Sequence, residues 1–201
     1  MKKITLLLLM FLATSSIQAK FFNGTINYAD GTEKAGLLER PAMKSGKIKF
    51  KANEMGQPQL VDSDLLTSVT ITTENGTETF LHLYPAMEMR DGIKRENSKK
   101  WFAVMSLGNV NFLYYKTSVS VNDAAPGIEY HIHVPGQNYA VYFTTKVDGV
   151  SKMVGAKALY RDMVMHVFDD ICPELVEKFR SREYKADNFE ELIKLYKQTC
   201  G

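Results

Sequence analysis

The best-spaced chemical groups in the chain are His131 and His133, two histidines separated by one residue. On a β-strand, residues two apart project from the same face, so an H-x-H pair can present both imidazoles to one metal ion. Zinc at a catalytic site still takes three protein ligands, and the segment Val134 to Ala140 supplies neither a carboxylate nor a third histidine. The pair is therefore read as part of a solvated strand face, and no metal or other cofactor is expected. If Pro135 to Asn138 form a four-residue turn, His131 falls opposite Tyr142 and His133 opposite Ala140. His82 shares a strand face with Phe80 and Tyr84, which predicts a partly buried imidazole with its hydrogen bonds satisfied. His166 falls at the border of a helical apolar stripe.

Cys172 and Cys200 are the only two cysteines. Cys172 precedes Pro173 at an expected helix start, where the helix dipole would favour a thiolate. Against a reactive thiol stand the lack of C-x-x-C spacing and the compartment, argued below, and the expected outcome is one disulfide. Loop entropy makes such a bridge worth roughly 3 to 4 kcal/mol. Asp62 and Asp64 have calcium-loop spacing but lack its glycine and its distal glutamate. Asp169 and Asp170 are adjacent and cannot share one helix face. Asn23 and Asn75 open N-G-T sequons that also suit ordinary turns. No G-x-S-x-G, H-E-x-x-H, S-x-x-K or glycine-rich phosphate loop occurs, so no catalytic residues are assigned.

The compartment follows from the first nineteen residues. Lys2 and Lys3 precede an apolar run from Ile4 to Leu12, and Ala13 to Ala19 ends in a small residue, which is the pattern of a secretory signal peptide. An apolar core of about nine residues is too short to span a bilayer. No cysteine lies between Leu12 and Phe22 to carry a lipid, so the mature chain is expected to start at Lys20, to have no membrane span, and to be periplasmic or secreted. Without Lys2 and Lys3 the 25 basic side chains of the full chain fall to the number of acidic ones, 23. A nucleic-acid partner needs a sustained basic excess, and the cluster Lys94, Arg95, Lys99 and Lys100 is interrupted by Glu88, Asp91 and Glu96.

These residues must be positioned by two kinds of element. From residue 20 to about 150 the chain alternates in period two between turn signals. Gly24 to Tyr28 and Glu33 to Glu39 flank Asp30-Gly31, and Leu66 to Thr73 and Thr77 to Tyr84 flank Asn75-Gly76. Trp101 to Leu107 and Val110 to Tyr115 flank Gly108-Asn109, and Glu129 to Val134 and Tyr139 to Thr145 flank Pro135-Gly136. Four successive hairpins imply antiparallel pairing. Lys47, Lys49 and Lys51 alternate with Ile48 and Phe50, a row expected to blunt an exposed sheet edge. Pro85 to Lys100 is expected to be a long mobile loop.

Over residues 151 to 201 the period becomes helical. Ala156, Leu159, Tyr160, Met163, Val167 and Ile171 form one stripe. Pro173 opens a second helix with Leu175, Val176 and Phe179 inward. Asp187 is expected to cap a third, with Phe189, Leu192, Ile193, Tyr196 and Cys200 inward. The fold class is α+β: a single domain with an antiparallel, hairpin-rich sheet or incomplete barrel followed by a helical segment closed by the disulfide.

Two stretches, GNVNFLYY from Gly108 and DICPELVEKF from Asp170 with LIKLYKQTC after it, resemble those of small exported β-rich proteins of Bacteroidetes-type bacteria. The resemblance implies a β body with a disulfide-closed helical end, and implies no activity. Two function classes remain. The first is a noncatalytic exported binding or envelope-associated module, whose partner is an apolar small molecule or another envelope protein. Its basis is aromatic content on both strand faces, as in Phe112 and Tyr114 against Leu113 and Tyr115. The second is a metal-dependent hydrolase using His131 and His133.

Overall fold

A computed structural model describes residues 20–89, 91–119, 125–147, 156–186 and 188–201. The expected signal segment over residues 1–19 and the expected capping residue Asp187 lie outside them. Eleven strands come first: β1 (Phe21–Tyr28), β2 (Glu33–Glu39), β3 (Lys47–Lys51), β4 (Gln59–Asp62), β5 (Leu66–Thr73), β6 (Gly76–Met89), β7 (Gly92–Arg95), β8 (Lys100–Ser106), β9 (Asn111–Val119), β10 (Ala125–His133) and β11 (Tyr139–Val147). Helices α1 (Ala156–Val167), α2 (Pro173–Arg180) and α3 (Phe189–Thr199) follow. Among the described residues no helix is long and apolar enough to cross a membrane.

The four expected hairpins are present. Gly31, Gly76 and Gly136 adopt positive φ in three of their turns, the conformation that glycine enters without a Cβ penalty. The strands join in the order β11-β10-β9-β8-β6-β5-β1-β2-β3-β4, with β7 on β6. Sequence patterning does not foretell the closure. Tyr139, Ala140 and Val141 of β11 pair in parallel with Tyr84, Pro85 and Ala86 of β6, so β6, β8, β9, β10 and β11 form a closed five-stranded barrel.

Strand β6 is fourteen residues long and belongs to both halves of the molecule. It takes in Pro85 to Met89, the first part of the segment expected to be a loop, and its end pairs with β7 from Ala86↔Arg95 to Met89↔Gly92. Pro85 sits inside this strand because only its carbonyl is needed there, accepting from Glu96 N at 2.8 Å. The lysine row also lies elsewhere than expected. β3 is flanked by β2 and β4, with Ile48 and Phe50 buried and the lysines on the opposite face, so the row covers a sheet face rather than an edge.

Strands β5 to β1 to β4 curl back over one side of the barrel. Ile26, Leu38, Ile48, Phe50, Val69 and Ile71 there enclose Phe80 of β6 and Trp101 of β8. The sharp curl depends on two glycines that face each other across β1 and β2, Gly24 and Gly36. A Cβ on Gly24 would come 2.1 Å from the Thr70 carbonyl oxygen, and one on Gly36 would come 2.4 Å from that of Lys51. Neither strand could approach its neighbour so closely with a side chain present.

The helices cover the other side, where Phe112, Tyr130, Ile132 and Phe143 meet Val164, Phe168, Phe179, Phe189, Leu192 and Tyr196. Helix α2 starts at Pro173 and buries Leu175, Val176 and Phe179 as expected. In α1 and the turn after it the buried seam is Tyr160, Val164 and Phe168, with Met163 and Val167 only half-buried, so the helix is rotated by about one residue from the expected stripe. The cap of α3 is Asn188, whose Oδ1 accepts from Glu191 N at 2.9 Å. Cys172 and Cys200 are joined, with Cα atoms 6.1 Å apart. The bridge ties the turn before α2 to the end of α3.

Candidate functional site: a barrel end and a polar cleft

Closing five strands leaves an interior that side chains fill. Leu83, Phe102, Leu113, Tyr115 and Ala140 pack together there, with Leu81 and Val104 partly buried beside them. The alternation of β10 sends Tyr130 and Ile132 to the helices, and therefore sends Glu129, His131 and His133 to the other face. The solvated face expected for the histidines is thus overturned: His131 is 2% exposed and His133 6%. Period two identified which residues share a face, but closure of the barrel decided that this face is covered.

The two rings have different surroundings. His131 lies opposite Tyr142, as the turn length predicts, and packs against Phe102, Tyr115 and Tyr142. Its Nε2 is 3.6 Å from Glu129 Oε2, and its Nδ1 is 3.4 Å from the Ala140 carbonyl. The Tyr115 hydroxyl donates to the same Glu129 oxygen. The His131 imidazole, then the Tyr115 hydroxyl and the Lys100 ammonium, hold the Glu129 carboxyl below the usual carboxylate range, against a burial effect that pushes it up. Burial and the adjacent carboxylate push the Tyr115 phenol far up, so it stays a proton donor.

His133 lies in a completed chain of hydrogen bonds. Gly108 N donates to Asn111 Oδ1 at 3.1 Å, and Asn111 Nδ2 lies 3.0 Å from His133 Nδ1. His133 Nε2 lies 2.9 Å from the Gln137 carbonyl. One neutral tautomer satisfies every atom, with Nδ1 accepting and Nε2 donating. The chain ties the β8–β9 turn to the β10–β11 turn and leaves neither nitrogen of His133 for a metal. Among the described residues no three histidine, cysteine or carboxylate side chains gather into a metal-holding group.

A second site lies where the curled sheet meets the barrel. It is a cleft of about 460 Å³ lined by the 44–46 loop, Ser63 and Asp64, His82 and Tyr84 of β6, and residues 96–100. His82 is 6% exposed and stacks on Trp101, with ring centroids 4.6 Å apart and planes 20° apart. Trp101 Nε1 reaches the Ser45 carbonyl at 3.2 Å and Ser63 Oγ at 3.3 Å, and Ser63 Oγ donates to the same carbonyl at 2.8 Å. Trp101 N also donates to the Met43 carbonyl at 2.8 Å, so the loop is fixed to the ring that supports His82.

His82 departs from the sequence expectation of a satisfied ring. Its Nδ1 is buried with no hydrogen-bond partner among the described residues. Burial first, and the Lys99 ammonium second, hold its imidazole below its ordinary value of 6.5. The remaining candidates have plain structural roles. Asp62 accepts from Asp64 N to cap a single 3-10 turn over Ser63–Leu65. His166 is an exposed residue with its Nε2 3.2 Å from Glu88 Oε1. Asn75 lies in its hairpin turn, whereas Asn23 lies inside β1.

Comparison with protein-family models, with curated proteins and with solved structures finds no match for the chain. The fold and its two polar centres define an α+β protein in which a small closed barrel carries a curled sheet on one side and a disulfide-closed helical layer on the other.

Proposed function

We propose that the protein is an exported, noncatalytic binding module whose recognition surface is the cleft at His82. The observation that carries this reading is the orphaned Nδ1 of a buried ring whose supports are all satisfied. Leaving a buried polar atom unpaired costs about 1 to 3 kcal/mol, and such sites in folded proteins call for a missing partner. The barrel interior is filled by side chains, so the cleft favours a small polar ligand over the apolar guest that the aromatic content suggested. A catalytic reading has less support, because the buried Ser63 hydroxyl in the cleft lining already donates to the Ser45 carbonyl. Export is supported by the Lys2 to Ala19 pattern and by the Cys172–Cys200 bridge.

The test is native mass spectrometry of protein exported by its own type of host, together with NMR of the His82 ring proton. A small polar ligand retained by the wild type and lost in His82→Phe is the expected result. A ligand-free protein whose His82 signal does not move in an extract of host small molecules would overturn the reading.

A further inference from the structure

The charges around the cleft narrow the class of ligand. Its lining carries three ammonium groups, Lys44, Lys99 and Lys100, and two carboxylates, Asp64 and Glu96. Lys100 is 13% exposed and its Nζ is 2.8 Å from Glu96 Oε2, so these two groups neutralise each other. No carboxylate among the described residues lies within 4 Å of Lys44 or Lys99. The Lys99 ammonium instead lies 5.7 Å from the centre of the Tyr84 ring, which Arg95 also approaches at 5.9 Å. Asp64 thus stands alone against two uncommitted cations. A cationic ligand would meet this positive excess, and the Tyr84 ring already has cations of the protein itself beside it. An anion would meet two ammonium groups with no carboxylate partner, beside the His82 ring.

We propose that the cleft binds the carboxylate or phosphate group of a small molecule, held between Lys44 and Lys99 against the His82 ring. The inference rests on the reading of the cleft as the recognition surface. The site is preorganised for this, since His82 is held by its stack on Trp101 and Trp101 is held by Ser45 and Ser63. Bound there, the anion would offset the Lys99 charge that acts on the ring.

The experiment is an NMR titration of the full disulfide-bonded protein at constant ionic strength, following the His82 ring proton with inorganic phosphate, acetate and uncharged glycerol as separate probes. Saturable shifts with phosphate, acetate or both are expected, and the probe that saturates identifies the group. Lys44→Ala and Lys99→Ala should each weaken binding about tenfold, the loss of one charge-assisted hydrogen bond. These are cleft-rim changes, and an unchanged near-UV spectrum confirms the fold. Linear shifts that never saturate, or binding undiminished in both variants, would overturn the proposal. If glycerol saturates and the anions do not, the anion inference falls while the binding module stands. If neither the probes nor the host extract move the signal, both fall.

Discussion

His133 and His82 are hidden to the same degree, each 6% exposed, yet they sit in opposite kinds of surroundings. Around His133 every donor has an acceptor, from Gly108 through Asn111 to Gln137, and the other face of its strand is sealed by helices that a disulfide holds in place. Around His82 the supporting groups are equally well paired, but the ring itself is left one partner short at the wall of an open cleft. Burial alone therefore does not distinguish a structural histidine from one available to a ligand. The accounting of its two nitrogens, together with a cleft beside the ring, does.

The largest expected effect tests the closed region as a whole. Reducing Cys172–Cys200 should cost roughly 3 to 4 kcal/mol and speed amide exchange in α2 and α3, while the His82 signal and the core around Trp101 stay unchanged. Equal loosening of both regions in hydrogen exchange would show that they unfold as one unit. Next, His133→Ala strands the Asn111 amide and the Gln137 carbonyl and leaves a cavity, so urea unfolding should show a loss of about 2 to 4 kcal/mol.

Acid should reveal both rings at once. Burial, as the first cause, holds each below its ordinary 6.5, so below that pH the unfolded chain binds more protons than the folded one. Their contribution is complete above about pH 6.5 and is lost as pH falls toward the lowered folded-state values. A denaturation midpoint that is flat from pH 7 to pH 5 would contradict this. The smallest change is expected from His82→Phe, which keeps an aromatic ring on Trp101 and removes the orphan nitrogen. Stability should stay within about 1 kcal/mol of wild type or rise slightly. A loss above about 2 kcal/mol would mean that Nδ1 has a structural role, and would erase the contrast with His133.

How much of this was legible in the sequence depended on whether the deciding signal was local. Asp30-Gly31 and Asn75-Gly76 marked their turns because positive φ is a property of one residue, and Pro173 marked the start of α2 for a similar reason. The disulfide followed from count and compartment. Closure of the barrel was not legible, because the three parallel pairs between β6 and β11 join segments far apart in sequence and leave no local mark. The other misreadings follow from that. Pro85 suggested a loop when the strand needed only its carbonyl, the lysines of β3 suggested an edge when β4 lay beyond them, and the H-x-H face looked solvated until the barrel closed over it. The cleft was less legible still. Its lining comes from four separate segments, and the orphaned nitrogen of His82 is a property of the assembled structure alone.

The pairing of β11 with β6 has a further consequence, for how the molecule resists clumping with its own copies. Without that pairing the sheet would end at β11 in a long row of unpaired amide and carbonyl groups, able to template the addition of a neighbouring chain. Because β11 returns to β6, the strands with a partner on one side only are, among the described residues, β4 and β7, each of four residues. A strand that short offers a foreign chain too few hydrogen bonds to hold it. The closure that hides His131 thus also removes a long free edge from a β-rich fold.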